Sequence, residues 1–220
     1  MDRPKLVIFD MAGTTVEDHG QVPAAFQSAL SEHGVSVTPE QINAIRGASK
    51  RQAVLTLTPE GSDRQQRAER TYVLFKQLLA QRFAAGVRAM PGAMETFAWL
   101  REREVKVALN TGFDREITDL LLSALGWTTG HVDTVVCGDE VPRGRPAPYL
   151  IFRCMEATAI LSVHQIAVIG DTALDLEAGY NAGARWNVGV LSGAHAQEQL
   201  QRLPHTHLLN SVAELPSILD

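Results

Sequence analysis

The sequence predicts an α/β fold in which a parallel sheet is covered on both faces by helices. Three observations lead there. Short apolar runs of strand length recur at Leu6–Phe9, Val105–Leu109, Thr134–Cys137, Ile166–Ile169, Asn187–Val190 and His207–Leu209. Helix-like stretches separate them, and that alternation signals parallel pairing. The first three runs show little polar alternation, as expected of strands with helices on both sides. Right-handed crossovers then give a doubly wound, Rossmann-like core.

A chain of 220 residues fits one domain of ordinary size, or one domain with a modest insertion. Hydrophobic residues make up 45% and charged residues 20%, which argues against disorder. No run of about 18 apolar residues suggests a membrane span. A net charge of −5 disfavours a broad nucleic-acid footprint, because counterion release needs clustered Lys and Arg. A local positive pocket stays compatible with it. Cys137 and Cys154 lack metal-type spacing, and Met1-Asp2-Arg3-Pro4 has no signal pattern, so a cytoplasmic location is the expectation.

Along the chain, the first apolar run ends in Asp10 and a glycine turn. The strand-helix beat then breaks between about Val16 and Arg88, where helical periodicity appears without a convincing strand. One helix is expected from near Pro23. Another starts at Thr38-Pro39-Glu40-Gln41, where Thr38 caps, Pro39 suits the first turn and Gln41 completes a capping box. Asp63 to Ala85 suits a long amphipathic helix, whose charges at Arg64, Arg67, Glu69, Arg70 and Lys76 read as a solvated face. Pro91-Gly92 punctuates the return to the strand-helix pattern.

In an open parallel sheet, ligands bind outside the carboxyl ends of the strands, so the residues just after each run carry the most information. The first run leads into Asp10-Met11-Ala12-Gly13-Thr14-Thr15 and the second into Asn110-Thr111-Gly112. The fourth leads into Gly170-Asp171-Thr172 with Asp175 beyond, and Gly144-Arg145-Pro146-Ala147-Pro148 lies between. Each alone is ordinary turn or cap chemistry. Together they bring two carboxylates, a hydroxyl and a cation to one crevice. Asp10 and Asp171 are hard oxygen donors suited to Mg²⁺. Thr111 with the following helix N-terminus, and Arg145, suit the oxygens of a phosphate.

These four motifs, in this order, resemble those of the haloacid dehalogenase (HAD) superfamily of phosphoryl-transfer enzymes across essentially the whole chain. The resemblance implies a core over residues 1–16 and 89–220 and an inserted all-helical cap of the C1 type over 17–88, hinged near Val16–Asp18 and Arg88–Pro91. It implies Asp10 as the nucleophile that becomes phosphorylated, with Thr111 and Arg145 as the phosphate-binding hydroxyl and cation. It also implies Mg²⁺ held by Asp10, the Ala12 carbonyl and Asp171, with Asp175 in support.

Most phosphatases of the superfamily carry a second Asp where this chain has Ala12, and its loss as proton donor is worth about 10²–10⁴-fold. The opening motif, with its Ala, and the Gly-Arg-Pro-x-Pro motif resemble those of the phosphonatases. In that family a cap lysine forms a Schiff base with the substrate aldehyde, so no leaving oxygen needs a proton. Arg46-Gly47-Ala48-Ser49-Lys50 resembles the loop that carries this lysine, making Lys50 its counterpart, while Ala53 replaces the usual His and Arg46 the usual Met. Ala12, Gly13, Gly47, Gly112 and Arg46 are the expected substrate-binding positions, and Arg46 suits a second anionic group. Cleavage of phosphonoacetaldehyde or a related carbonyl phosphonate is the leading expectation. A phosphomonoesterase and a noncatalytic phosphate-binding protein are the alternatives. The expected partner is a small phosphorylated or phosphonate substrate, with a cap-mediated homodimer implied by the resemblance.

The remaining residues read plainly. His205 and His207 suit a solvent-exposed pair, Trp99, Trp127 and Trp186 packing, and the cysteines small buried residues. His195 follows the fifth strand and takes no role.

Overall fold

The structure is a computed structural model. It describes residues 3–219; Met1 and Asp2 of the expected N-terminal segment, and Asp220, lie outside the described residues. Six parallel strands form one sheet: β1 Leu6–Asp10, β2 Lys106–Asn110, β3 Thr134–Val136, β4 Ile166–Gly170, β5 Trp186–Val190 and β6 His207–Leu209, in the order β3-β2-β1-β4-β5-β6. All residues of β1 and β4 are buried, which is why these strands read as unbroken apolar runs. The order reverses beside β1. The crevice at its carboxyl end is therefore the topological switch point at which such sheets bind ligands.

Of the five helices between β1 and β2, the first four fill the interruption in the strand-helix pattern: α1 Gln21–Glu32, α2 Pro39–Ala44, α3 Lys50–Leu57 and α4 Arg64–Ala84. The chain leaves and returns through paired segments. Val16 bridges Ala89 antiparallel, the Glu17 N–H donates to Arg88 O at 3.0 Å, and the Met90 N–H donates to Thr15 O at 2.8 Å. Helix α1 begins at Gln21, earlier than its Pro23 suggests, because the Asp18 carboxylate accepts the N–H groups of Gly20 and Val22. The expected capping box at Thr38 and Gln41 is present. Helix α3 starts at Lys50, whose side chain is buried.

The later helices include α5 Ala93–Glu102, which leads into β2, α6 Arg115–Leu125, α7 Tyr149–Ala157 and α8 Ala173–Ala182. One apolar cluster joins the sheet through Val7, Phe9 and Leu109 to Phe26, Phe75 and Leu79 of the inserted helices. A second packs Leu6, Ile8 and Ile166 against Leu150, Cys154 and Ala178 of α7 and α8.

The charges of α4 are not simply a solvated face. Lys76 pairs with Asp114 at 3.5 Å and with Glu116, and the Tyr72 hydroxyl donates to Asp114 at 2.6 Å, tying α4 to α6. His205 and His207 are half-buried rather than exposed. Among the described residues no helix is long and apolar enough to cross a membrane.

Candidate active site

Parallel register sets Asp10 beside Asn110 at the carboxyl ends of β1 and β2, with Asp171 just beyond β4. Arg145 binds this edge together. Its Nη1 reaches Asp10 Oδ1 at 2.7 Å and its Nε reaches Asp175 Oδ1 at 2.9 Å. Its Nη2 donates to the Asn110 backbone oxygen at 3.1 Å and to the Asn110 side-chain oxygen. The guanidinium is thus fixed in one orientation. Asn110 is a site residue that strand-end position alone did not single out.

Asp171 is fully buried, with Oδ1 accepting from the Thr14 hydroxyl at 3.0 Å and Oδ2 from the Ala194 N–H at 2.6 Å. Gly13 and Gly193 crowd it so closely that a Cβ at either position would collide with its carboxylate. Asp175 accepts the N–H and the hydroxyl of Thr172, the N-cap of α8, and so closes that helix's capping box. It supports the site through its bond to Arg145. The carboxylates of Asp10, Asp171 and Asp175 offer oxygens within 4.8 Å of one another.

Burial pushes Asp10 and Asp171 well above the ordinary carboxylate range. Arg145 partly offsets this at Asp10, and the neighbouring carboxylates add to it at both. Crowded, dry, hard-oxygen carboxylates are the donor set a divalent cation requires.

Over this edge sits the loop between α2 and α3. The Lys50 N–H donates to Gly112 O at 2.9 Å and Arg145 Nη1 donates to Gly47 O at 3.2 Å. Gly47 has φ +85°, and a Cβ on it would strike Thr172, just as one on Gly112 would strike Ala48 O. The Lys50 ammonium lies 5.2 Å from the Phe113 ring centre and 3.2 Å from Ala48 O. Burial lowers its pKa to about 8; Asp10 and Asp18 oppose the shift, and Arg145 and Arg46 assist it.

A cavity of about 30 Å³ lies between loop and sheet, lined by Asp10, Ala12, Arg46, Gly47, Lys50, Thr111 and Gly112 among others. The sequence-predicted residues therefore converge, with Asp171 and Asp175 directly behind. Gly13 lies beside Asp171 rather than on the cavity wall. Arg46 does line the cavity, but Asp18 already holds its guanidinium at 2.5 Å. No composition or motif marked Asp18.

His195, to which the sequence assigns no role, is 7% exposed and links two parts of the site. Its Nδ1 accepts the Ala173 N–H at 2.9 Å, and its Nε2 faces Asn43 O at 3.4 Å.

Fold and site define a hydrolase of the haloacid dehalogenase superfamily, and the family model for haloacid dehalogenase-like hydrolases matches residues 7–188. The chain belongs to that family. Within it, the chain is 32% identical over 204 residues to a phosphonoacetaldehyde hydrolase of Parabacteroides distasonis, covering 86% of this chain and 76% of the relative. It is 30% identical over 232 residues to one from Bacteroides fragilis, covering 98% and 88%. Among solved structures, a hydrolase from Pseudomonas syringae superposes with a TM-score of 0.87 at 25% identity, covering 98% of both chains. A phosphonoacetaldehyde hydrolase-like protein from Oleispira antarctica gives 0.83 at 23% identity, covering 99% and 91%, and shares the fold.

Proposed function

We propose that this hydrolase cleaves the carbon–phosphorus bond of phosphonoacetaldehyde or a closely related carbonyl phosphonate. The observation that carries the reading is a buried lysine amine, with its pKa lowered to about 8, on the same small cavity as the Asp10 carboxylate and Ala12. Residues 17–88 act as the cap and residues 1–16 and 89–220 as the core. The closed cavity holds about two waters, so the loop at 46–50 lifts to admit substrate.

Neutral Lys50 attacks the aldehyde carbon, and loss of water leaves a protonated imine. Asp10 then attacks phosphorus, and the electrons of the breaking bond to carbon flow into the imine as an enamine. No alkoxide forms, so Ala12 costs nothing at this step. Protonation of the enamine carbon and hydrolysis of the imine release acetaldehyde and restore Lys50. A second water hydrolyses the aspartyl-phosphate. Thr111 binds a phosphoryl oxygen throughout, joined by the Arg145 N–H that the lifting loop frees from Gly47 O.

Mg²⁺ fits this donor set: Asp10, Asp171 and the Ala12 carbonyl would hold it with Asp175 in support, and it would neutralise phosphoryl oxygens so that a carboxylate can approach. Because the raised carboxylates favour their protonated forms, their contribution to stability is full at low pH. It is lost as pH rises through their folded-state values. Metal-free protein should therefore melt at a higher temperature as pH falls from neutral toward about 5. At pH 7.5, Mg²⁺ at a hundred times its Kd should raise the Tm by about 5–10 °C, measured by scanning fluorimetry. Asp171→Asn should abolish the Mg²⁺ response.

The experiment that tests the proposed function is incubation with phosphonoacetaldehyde and borohydride. A reduced two-carbon adduct is expected on Lys50 by mass spectrometry, and a parallel reaction without borohydride should release phosphate. Phosphate release without any adduct would remove the imine route.

One observation favours a second reading. Ala53, 1% exposed, leaves no proton carrier one turn from Lys50 on α3. A phosphomonoester with a stable leaving group needs neither that carrier nor an acid at position 12. Aryl phosphate turnover by Lys50→Ala protein would support it.

A further inference from the structure

The cavity wall formed by α1, α2 and Phe113 is apolar except at one point. Val22, Pro23 and Phe26 of α1, Ile42 and Ile45 beside α2, and Phe113 line it. The exception is the pair Asp18–Arg46. Asp18 has a side chain only 4% exposed and that of Arg46 is 22% exposed, so both are withdrawn from water. Asp18 Oδ1 accepts the N–H groups of Gly20 at 3.1 Å and Val22 at 3.4 Å, and Oδ2 accepts from Arg46 Nη2 at 2.5 Å. Three donors, two of them backbone at the start of α1, hold the carboxylate in place.

Arg46 is thus not a vacant anion receptor. Its charge is matched by a fixed carboxylate on the same wall, and the α1 and α2 side chains beside it offer a second anion no donor. A carboxylate on the leaving fragment would give up its hydration beside apolar side chains and an arginine whose charge Asp18 already holds, with no free cation there to replace the lost water. A carbonyl flanked by hydrogen or a small alkyl group meets only apolar side chains and Lys50.

Resting on the reading above, we propose that Asp18 is a specificity-determining residue that restricts the enzyme to phosphonates whose carbonyl fragment carries no second negative charge. Discrimination here comes from withholding the cation a second anion would need, as well as from attraction to the phosphonate. It also separates this site from one that takes a carboxylated phosphate.

The test uses the full-length protein with Mg²⁺ and two inhibitors of phosphonoacetaldehyde cleavage. 2-Oxopropylphosphonate and 3-phosphonopyruvate differ by a methyl against a carboxylate of similar size. Wild-type protein should bind the neutral compound about 100-fold more tightly, as a ratio of Ki values. Asp18→Asn frees Arg46 and should cut that ratio by about tenfold or more, through tighter binding of the carboxylate. Arg46→Met leaves Asp18 uncompensated and should widen it. A wild-type ratio near one, or a ratio that neither substitution moves, overturns the inference while leaving the cleavage reading intact. Should Asp18→Asn protein fail to fold, the wild-type and Arg46→Met ratios decide. Absence of phosphonoacetaldehyde cleavage by wild-type protein overturns the underlying reading, and this inference with it.

Discussion

Asp10→Asn protein is expected to fold, to bind Mg²⁺ more weakly and to lose turnover by about 10⁴-fold or more. An amide in place of the carboxylate has no charge to drive attack on phosphorus and no stable phosphorylated form. The surroundings make a folding failure the wrong explanation for that loss. Asp10 is 6% exposed and its pKa is raised, so at neutral pH the charged form is already penalised by burial more than Arg145 repays. A neutral side chain of the same shape relieves that penalty and still accepts a bond from Arg145. The metal-free variant should therefore melt at or above the wild-type temperature in the same buffer. Rapid-quench measurement of protein-bound phosphate should show none in the variant and a burst in wild type. Retained turnover would end the aspartyl-phosphate account.

The same contrast between charge and burial explains what was legible in the sequence. Buried parallel strands must be apolar at consecutive positions, so β1 and β4 stand out without any pattern analysis. The ligand-binding edge follows from where those strands stop. Asp10, Thr111 and Asp171 were found because chain order maps directly onto that edge. Thr38 and Gln41 were found because a capping box is local, as hydrogen bonds between residues three apart can be read from spacing.

Features that depend on distant parts of the chain were not legible. Asp18 and Arg46 are 28 residues apart and meet only because α1 and α2 fold over the same cavity. Tyr72 and Asp114 are 42 apart and join two helices with no sequence relation. His195 carries the ordinary signature of a helix start, and its burial against Ala173 and Asn43 needs the folded chain. Lys50 was marked by its loop, while its burial, the property that makes its chemistry possible, came from Phe113 and the packed loop around it.

That burial sets up an opposition between stability and function at Lys50. An amine with its pKa at about 8 is neutral in about a tenth of molecules at pH 7, against about one in two thousand or fewer for an ordinary lysine. The sign for activity follows: imine formation should grow about tenfold per pH unit up to pH 8 and level off above it. Lys50→Arg keeps a cation but has no nucleophilic amine, so phosphonoacetaldehyde cleavage should fall by about 10³-fold or more at every pH. The sign for stability is opposite. Below pH 8 the folded protein holds a buried ammonium that the unfolded chain would solvate, and the penalty fades as pH rises from about 8 toward the ordinary 10.5. Lys50→Met, which fills similar volume without charge, should be more stable than wild type by about 3 kcal/mol at pH 7, with the gap closing above pH 10. Urea denaturation at pH 7 and pH 10 measures it. A methionine variant less stable than wild type at pH 7 would mean the lysine is solvated in the native state. The amine would then be an ordinary one, with no reason to react before it loses its proton to bulk water.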